Sequence, residues 1–369
     1  MNTVMSTAKK HKHFVGMDVS DRKLHLCILD ESGDIVSESS ISNDLESIQE
    51  LSTLWTIPKD VLIAMETGTY SPWLSHFFKA KGFDVLVGNP RRIRAIWQSD
   101  HKTDRRDAHL LARIARFNRS LLYPVTHRSL EAHKDLAVLK ARDLLVKGRT
   151  RLIGSIRGML KSFGIRLPDC DAAAFHRIVK DDIPNDMRIS INPILKSIEK
   201  MTEQIKRLEK SLKKLAEKKY PETIKLQQIN GVGPITAMAF VLTIESPDRF
   251  LKSRDVGPFL GLVPKKDSSG NLDKELSISK AGNKLLRRLL VGASHYILGP
   301  FGTDCDLKQF GEKLLKRGGA PKVVKRKTVV AVSRKLAVKM HAVWKSDGDY
   351  NPFMEKPRQK KKNQKPEAA

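Results

Sequence analysis

Two short apolar runs, each ending in a single acid, limit what this chain can fold into. Residues 14–17 are apolar or glycine and lead into Asp18. Residues 61–65 are all apolar and lead into Glu66. Runs of this length, followed by small or polar residues, predict buried strands. Each strand would carry one carboxylate to its C-terminal end, and such ends can meet at one edge of a sheet.

A second pair of acids lies in the segment Lys102–Ala112. Asp104 and Asp107 are three residues apart, so they fall on one face of a helix. Thr103 is a suitable N-cap, and the apolar residues that follow continue the stripe of the two acids, which predicts that this stripe faces the protein. The alternative is an ordinary solvated mixture of charges, because Arg105 and Arg106 separate the acids.

Four acids in this arrangement can hold two divalent cations. Oxygen ligands suit Mg²⁺ or Mn²⁺, and two such ions about 3.5–4 Å apart activate an attacking oxygen and stabilise a leaving oxygen at a phosphorus centre. The residues therefore predict a metal site for phosphoryl transfer, formed by Asp18, Glu66, Asp104 and Asp107.

The charge of the chain points to a polyanionic partner. Its 369 residues carry a formal net charge of +27, with a pI near 10.0, and nucleic acid is the simplest partner for such an excess. An anionic membrane is the competing partner, but no run reaches the roughly 18 apolar residues of a spanning helix, and residues 1–13 lack the apolar core of a signal peptide. We therefore expect a cytoplasmic protein with no membrane partner. The cysteines show neither disulfide nor zinc-site spacing.

The order of elements up to residue 125 predicts an α/β domain. Three strands joined by turns come first, and strands and helices then alternate, which favours a mixed sheet with flanking helices. The predicted strands cover residues 13–19, 24–30, 35–41, 61–65 and 84–87, and the predicted helices cover 43–56, 72–81 and the segment with the acid pair.

This order resembles the ribonuclease H-like fold in its RuvC-like form, and four short motifs resemble one group with that fold. The motifs are Gly16–Ser20, Met65–Tyr70, Asn89–Pro90 and Lys102–Ala108. They resemble the DEDD transposases of the insertion-sequence 110 family, which are related to the Piv DNA invertases. The resemblance covers roughly residues 15–342. It implies that the four acids are catalytic metal ligands.

Residues 126–222 predict a helical region, because they show few turn signals and no strand pattern. Within it, apolar residues repeat in alternating steps of four and three with charged flanks, as in a coiled coil. This seam consists of Ile194, Ile198, Met201, Ile205, Leu208, Leu212 and Leu215. Packing against a helix of the same chain, such as the long one over 130–160, is the alternative. The resembled family has a subunit-joining coiled coil here, so we expect a dimer or tetramer.

Residues 223–345 predict a mainly α-helical C-terminal domain. Ile229–Ala237 contains a Gly-Val-Gly turn that leads into a helix. Helix-hairpin-helix elements use such turns to offer backbone N–H groups to phosphate, although a simple helix–helix connection explains these residues nearly as well. The segment is not a P-loop, because it lacks the spacing and the Lys-Ser/Thr ending.

Ser269 is the candidate nucleophile, and this assignment rests on resemblance. Taken alone, Lys265–Asn271 predicts a flexible polar turn. Together with the flanking segments Phe259–Pro264 and Ile278–Asn283, it resembles the C-terminal transposase domain of the same family. The nucleophilic serine of that family falls on Ser269, with Ser268 as an adjacent hydroxyl.

Basic residues of the C-terminal half are candidates for phosphate contacts. The alternative is an ordinary solvated basic face. The candidates are Lys265, Lys266, Lys280, Arg287, Arg288, Lys322, Lys325, Arg326 and Lys327. The basic segments 1–12 and 346–369 are expected to be disordered, and the second could add non-specific affinity.

Three functions are compatible with these patterns. The first is a recombinase that cuts and rejoins donor and target DNA with the four acids, metal and Ser269; the resemblance implies that a non-coding RNA encoded by the element guides it. The second is a metal-dependent, junction-resolving endonuclease in which water attacks. The third is a nucleic-acid-binding protein without chemistry, which has no need for four such acids. The segment with Ser269 favours the recombinase. The predicted divisions are 1–12, 13–125, 126–222, 223–345 and 346–369.

Overall fold

The computed structural model describes residues 11–96, 103–269, 272–346 and 348–353. The chain divides after Leu130 into two compact units, unit 1 and unit 2. In these described ranges, no helix combines the length and apolar character that crossing a membrane requires.

Unit 1 contains the predicted mixed sheet, with the strand order β3-β2-β1-β4-β5. The first three strands pair antiparallel, and β4 pairs parallel with both β1 and β5. The α/β expectation for this part of the chain is confirmed. The strands are β1 (His13–Val19), β2 (Lys23–Leu29), β3 (Ile35–Ser42), β4 (Val61–Glu66) and β5 (Asp84–Gly88).

Helices cover both faces of this sheet. Val15 and Ile63 lie on one face, in a buried cluster with residues of α1 and α2. Phe14 and Leu62 lie on the other face, in a cluster with residues of α3 and α4. Strand residues therefore alternate between two apolar layers, which explains why residues 14–17 of β1 and 61–65 of β4 are apolar or glycine. The helices are α1 (Leu45–Thr53), α2 (Ser71–Ala80), α3 (Pro90–Ile96) and α4 (Asp104–Phe117).

Unit 2 is mostly helical. Its helices are α5 (Leu130–Lys161), α6 (Phe175–Ile178), α7 (Arg188–Lys219), α8 (Glu222–Gln227), α9 (Pro234–Ile244), α10 (Val256–Phe259), α11 (Lys284–Leu298), α12 (Asp306–Leu315) and α13 (Pro321–Lys345). An antiparallel hairpin of β6 (Pro264–Ser269) and β7 (Leu272–Ile278) interrupts them. The expectation of a flexible polar turn is therefore wrong over 265–269, where the chain forms a strand.

The predicted seam of α7 is buried or half-buried within the chain, and α7 lies beside α5. Arg142 Nε of α5 donates to Glu209 Oε1 at 3.0 Å, and Arg149 Nη1 donates to the Thr202 hydroxyl at 3.2 Å. Partners later in α5 are thus earlier in α7, so the two helices run antiparallel. Ile198, Ile205 and Leu212 are all buried in the single chain. The intrachain alternative accounts for these residues, and a coiled coil between subunits stays a prediction.

Helix α9 is the centre of unit 2. Every residue from Thr236 to Ile244 is buried, in a cluster that also contains residues of α8, α11 and α13. A helix enclosed on all sides needs apolar residues on all sides, which explains its lack of a polar stripe.

Parts of both terminal segments pack on the units. His11 Nε2 lies 2.8 Å from Asp84 Oδ2 in unit 1. In unit 2, Tyr350 N donates to Gln228 Oε1 at 3.0 Å. These two positions were expected to be disordered and are instead bonded to the fold; residues 1–10 and 354–369 lie outside the described residues.

Candidate functional site

Asp18 and Glu66 are neighbours at the same end of the sheet. Met17 pairs with Met65 in the parallel β1–β4 ladder, so the two acids are the next residues on adjacent strands. Residues two apart on a strand share a face, which places both acids on the side that α4 covers. Both are half-buried. The prediction that two strand ends bring their acids together is supported by this register.

Gly16 lets α4 lie directly on β1. A Cβ atom at Gly16 would come within 1.9 Å of the carbonyl oxygen of Ala108 and 2.5 Å of the amide nitrogen of Ala112. Only glycine allows such a close approach between a strand and a helix backbone. The contact places the first turn of α4 toward the end of β1 that carries Asp18.

The first turn of α4 forms as the sequence predicted. The Thr103 hydroxyl accepts the N–H of Arg106 at 3.3 Å, which makes Thr103 the N-cap. Asp104 and Asp107 both lie in this turn, where the positive end of the helix dipole favours acids. Leu111 and Ile114 are buried farther along the same stripe. The stripe therefore faces the protein, although Asp104 itself is exposed.

An ion pair attaches this turn to the edge strand. Arg105 Nε donates to Glu38 Oε2 of β3 at 2.7 Å. The hydrogen bond from Arg105 lowers the pKa of Glu38, although burial acts against it. Arg105 thus pairs with an acid of β3, although most of its side chain is exposed.

His25 lies at the same end of the sheet and was not among the residues predicted from the sequence. His25 of β2 pairs across the ladder with Asp18, and its Nε2 lies 3.5 Å from Asp104 Oδ2. The available signal was a polar residue within the apolar alternation of β2. Four residues therefore lie side by side on the adjacent strands β3, β2, β1 and β4, in the order Ser40, His25, Asp18 and Glu66.

The four predicted acids suit a divalent cation by their donor chemistry. Carboxylate oxygens are the ligands that Mg²⁺ and Mn²⁺ prefer, and the register and the helix turn bring the four backbone positions together. In the described part of the chain, no three His, Cys, Asp or Glu side chains are grouped closely enough to hold a metal ion as they stand.

Ser269 is the last residue of β6. It pairs with Leu272 of β7, immediately before the turn at 270–271, which lies outside the described residues. The register places Lys266 opposite Glu275 and Asp267 opposite Lys274.

The candidate phosphate contacts fall into two groups. Arg287 Nη1 donates to the carbonyl oxygens of Leu260 and Ala281, and Arg288 forms an ion pair with Asp143 of α5. These two guanidinium groups therefore have roles inside unit 2. The remaining candidates are exposed: Lys265, Lys266, Lys280, Lys322, Lys325, Arg326 and Lys327.

The Gly-Val-Gly turn connects α8 to α9. Gly231 has a φ of +83°, and a Cβ atom there would lie 2.9 Å from Ile297 Cγ1 and 3.1 Å from the Ala293 carbonyl oxygen. Gly233 is the N-cap of α9 and makes no side-chain cap. The turn thus packs closely on α11, and Gly233 as N-cap has no side-chain oxygen to offer the first N–H groups of α9.

Comparisons with known proteins agree with these features. A family model described as a DEDD transposase of the IS110 type matches residues 15–165, which include the four acids and His25. A second, described as the transposase family IS116/IS110/IS902, matches residues 224–298, which include Ser269 and Arg287.

Curated relatives align over most of the chain. The transposase for insertion sequence element IS1111A from Coxiella burnetii is 29% identical over 313 residues, which cover 83% of each chain. The transposase for insertion sequence element IS1328 from Yersinia enterocolitica is 27% identical over 75% of this chain and 81% of the relative. A probable family 20 transposase from Pseudomonas aeruginosa is 24% identical over 79% of this chain and 86% of its own length. With both parts of the chain matched in order, this protein belongs to the IS110 family of transposases.

Proposed function

We propose that this chain is the transposase of an insertion sequence and that it cuts and rejoins DNA through a metal-assisted serine nucleophile. The observation that carries the metal part is the placement of Asp18 beside Glu66 on parallel strands, with the first turn of α4 packed over the same face. A pure binding protein has no need for acids gathered in this way.

The ligands of the ion would be Asp18, Glu66, Asp104 and Asp107. When bound, Mg²⁺ or Mn²⁺ supplies positive charge that activates an attacking oxygen and stabilises a leaving one. His25 and Arg105 contribute from the protein side: His25 lies beside Asp104, and Arg105 holds the turn on β3 through Glu38.

Ser269 is proposed as the attacking group. Its hydroxyl oxygen would form a bond to a DNA phosphorus, the bond from phosphorus to the departing DNA oxygen would break, and the serine proton would leave while the departing oxygen gains one. The covalent phosphoserine link conserves the phosphodiester, so rejoining by the reverse step needs no ATP. A serine hydroxyl is a weak nucleophile at neutral pH and requires such activation.

The partners proposed are donor DNA, target DNA and a guide RNA encoded by the element. A net charge of +27 supports nucleic acid as the partner class, and the exposed lysines of β6 and α13 are suitably placed on the surface for phosphate. The guide RNA and a dimeric or tetrameric assembly rest on the family resemblance.

To test this proposal, the protein is expressed together with its own element and flanking DNA. The amount of SDS-resistant protein–DNA adduct is then measured. We expect Ser269→Ala to remove the adduct and recombination, whereas the adjacent Ser268→Ala retains both. Sequencing of RNA that co-purifies tests the guide, and absence of a discrete species would count against it.

The second candidate is a junction-resolving endonuclease in which water attacks, since the four acids serve either reaction. If Ser269→Ala still cuts DNA at the wild-type rate and no adduct forms in the wild type, this second function replaces the first.

A further inference from the structure

Two glycines form the root of the β6–β7 hairpin, next to the start of β6 and the end of β7. Gly261 has a φ of +68°, and a Cβ atom there would lie 2.3 Å from the backbone of Ala281. Gly282 has a φ of +73°, and its Cβ atom would lie 2.1 Å from the Phe259 carbonyl oxygen. The segments before and after the hairpin thus contact each other backbone to backbone, which any side chain at these positions would prevent.

The root is fixed to the core. Ser279 N donates to the Val263 carbonyl at 2.9 Å, and Lys280 N donates to that of Gly261 at 3.1 Å. Leu260 and Leu262 are fully buried in the central cluster of unit 2. The hairpin therefore begins from a point that the fold holds in place.

Arg287 bridges the two sides of this root. Its Nη1 donates to the Leu260 carbonyl at 2.9 Å, on the side before the hairpin, and to the Ala281 carbonyl at 2.7 Å, on the side after it. Arg287 lies on α11, whose Leu286 and Leu290 are fully buried. One side chain thus attaches both ends of the hairpin to a helix that the core holds.

We propose that Arg287 is a positioning residue that sets the orientation of the hairpin that carries Ser269. The proposal rests on the proposed function of Ser269 as nucleophile. In this role Arg287 binds backbone carbonyls rather than nucleic-acid phosphate. The glycines at 261 and 282 allow the backbone contact that forms the root.

The length of the hairpin makes this orientation important. Pro264 to Ser269 spans five residue steps, roughly 17 Å at about 3.3 Å per step. A rotation of about 5° at the root would then move the end of β6 by about 1.5 Å at that strand rise. A displacement of about 1 Å between reacting groups can lower a rate about 100-fold.

The experiment uses the full chain with the plasmid-borne element and its flanking DNA. Arg287→Met removes the donors and keeps an apolar stem, and Lys284→Ala, an exposed position on the same helix, controls for the loss of one positive charge. Amide hydrogen exchange is followed at Ser279 and Lys280, with the buried amides of α9 as an internal reference for global unfolding.

We expect Arg287→Met to accelerate amide exchange at the root at least about tenfold, while exchange in α9 is unchanged. We also expect it to lower the adduct about 100-fold, with DNA retention within about threefold, since phosphate contacts elsewhere supply most of the binding.

Gly282→Ala opens the same root from the opposite side and should reproduce the effect, so the test does not depend on one variant folding. One result would overturn the proposal. In it, Arg287→Met weakens DNA retention and makes it less dependent on salt, whereas amide exchange at Ser279 and Lys280 and the adduct yield per bound complex stay at the wild-type level. In that case Arg287 is a phosphate contact. Ser269→Ala distinguishes a failure of the proposed nucleophile from a failure of the positioning role. If Ser269→Ala leaves the adduct intact, the proposed nucleophile is wrong. If Ser269→Ala loses the adduct but Arg287→Met keeps it, only the positioning role is overturned.

Discussion

His25 Nε2 of β2 lies 3.5 Å from Asp104 Oδ2 in the first turn of α4, and His25 also faces Asp18 across the β1–β2 ladder. His25 thus contacts one proposed metal ligand and pairs across the ladder with another. Groups that contact metal ligands orient them, which gives His25 a testable role.

We expect His25→Ala to raise the Mg²⁺ concentration needed for half-maximal DNA cleavage about tenfold, because Asp104 loses the neighbour that orients it. The measurement is a Mg²⁺ titration of cleavage at constant ionic strength. Lys23→Ala, an exposed position on the same strand, is the matched control. An unchanged titration curve for His25→Ala would remove His25 from the site.

The acids themselves should separate cleavage from binding. Asp18→Ala and Asp107→Ala should each abolish cleavage, because each removes a proposed ion ligand. Retention of DNA should stay close to wild type, since lysine and arginine contacts supply most of it. Glu46→Ala, an exposed acid on α1, should cleave normally. Normal cleavage by Asp107→Ala would show that the helical pair has been wrongly assigned.

The seam of α7 should respond as an intrachain core. Ile205 is 3% exposed, so Ile205→Ala should lower the free energy of unfolding by about 2–4 kcal/mol through lost burial and a cavity. Denaturant unfolding monitored by circular dichroism measures this, with the exposed Lys206→Ala as control. A seam between subunits would behave differently: the mass from light scattering would fall while the unfolding of the dilute chain stayed unchanged.

His341 should make stability depend on pH. It is fully buried; its Nε2 donates to the Pro247 carbonyl at 2.9 Å, and its Nδ1 accepts the Ser253 hydroxyl at 2.9 Å. Burial lowers the pKa of His341 below its ordinary value of 6.5, and the charge of Lys345 acts in the same direction. The unfolded chain therefore binds this proton more readily, so the stability that His341 contributes is fully present above pH 6.5 and is lost as the pH falls below it.

The check is the difference in unfolding free energy between the wild type and His341→Gln, measured from pH 7.5 down to pH 5.5, roughly the range in which a histidine titrates. The wild type should lose more stability over this range than the variant, which has no titrating group at this position. Parallel curves would show that His341 does not carry the effect.

Local chemistry was sufficient to predict much of unit 1. Apolar runs of strand length, the turns between them and the Thr103 cap act within a few residues, so β1, β4 and the first turn of α4 could be predicted from the sequence. The same short-range signals identified the acids as residues at the ends of these elements. Their adjacency was only an expectation, because the β1–β4 register joins residues almost 50 positions apart.

Three features depended on tertiary structure. A heptad pattern looks the same whether its partner is another subunit or α5, and only the fold shows that Ile205 is buried within the single chain. Ser269 lies in a strand because β6 pairs with β7, a pairing that the polar composition of the segment does not predict. The sequence determined that Arg287 is a cation on a helix. The fold decided that this cation bonds two carbonyls at the hairpin root, because only packing brings segments distant along the chain within hydrogen-bonding distance.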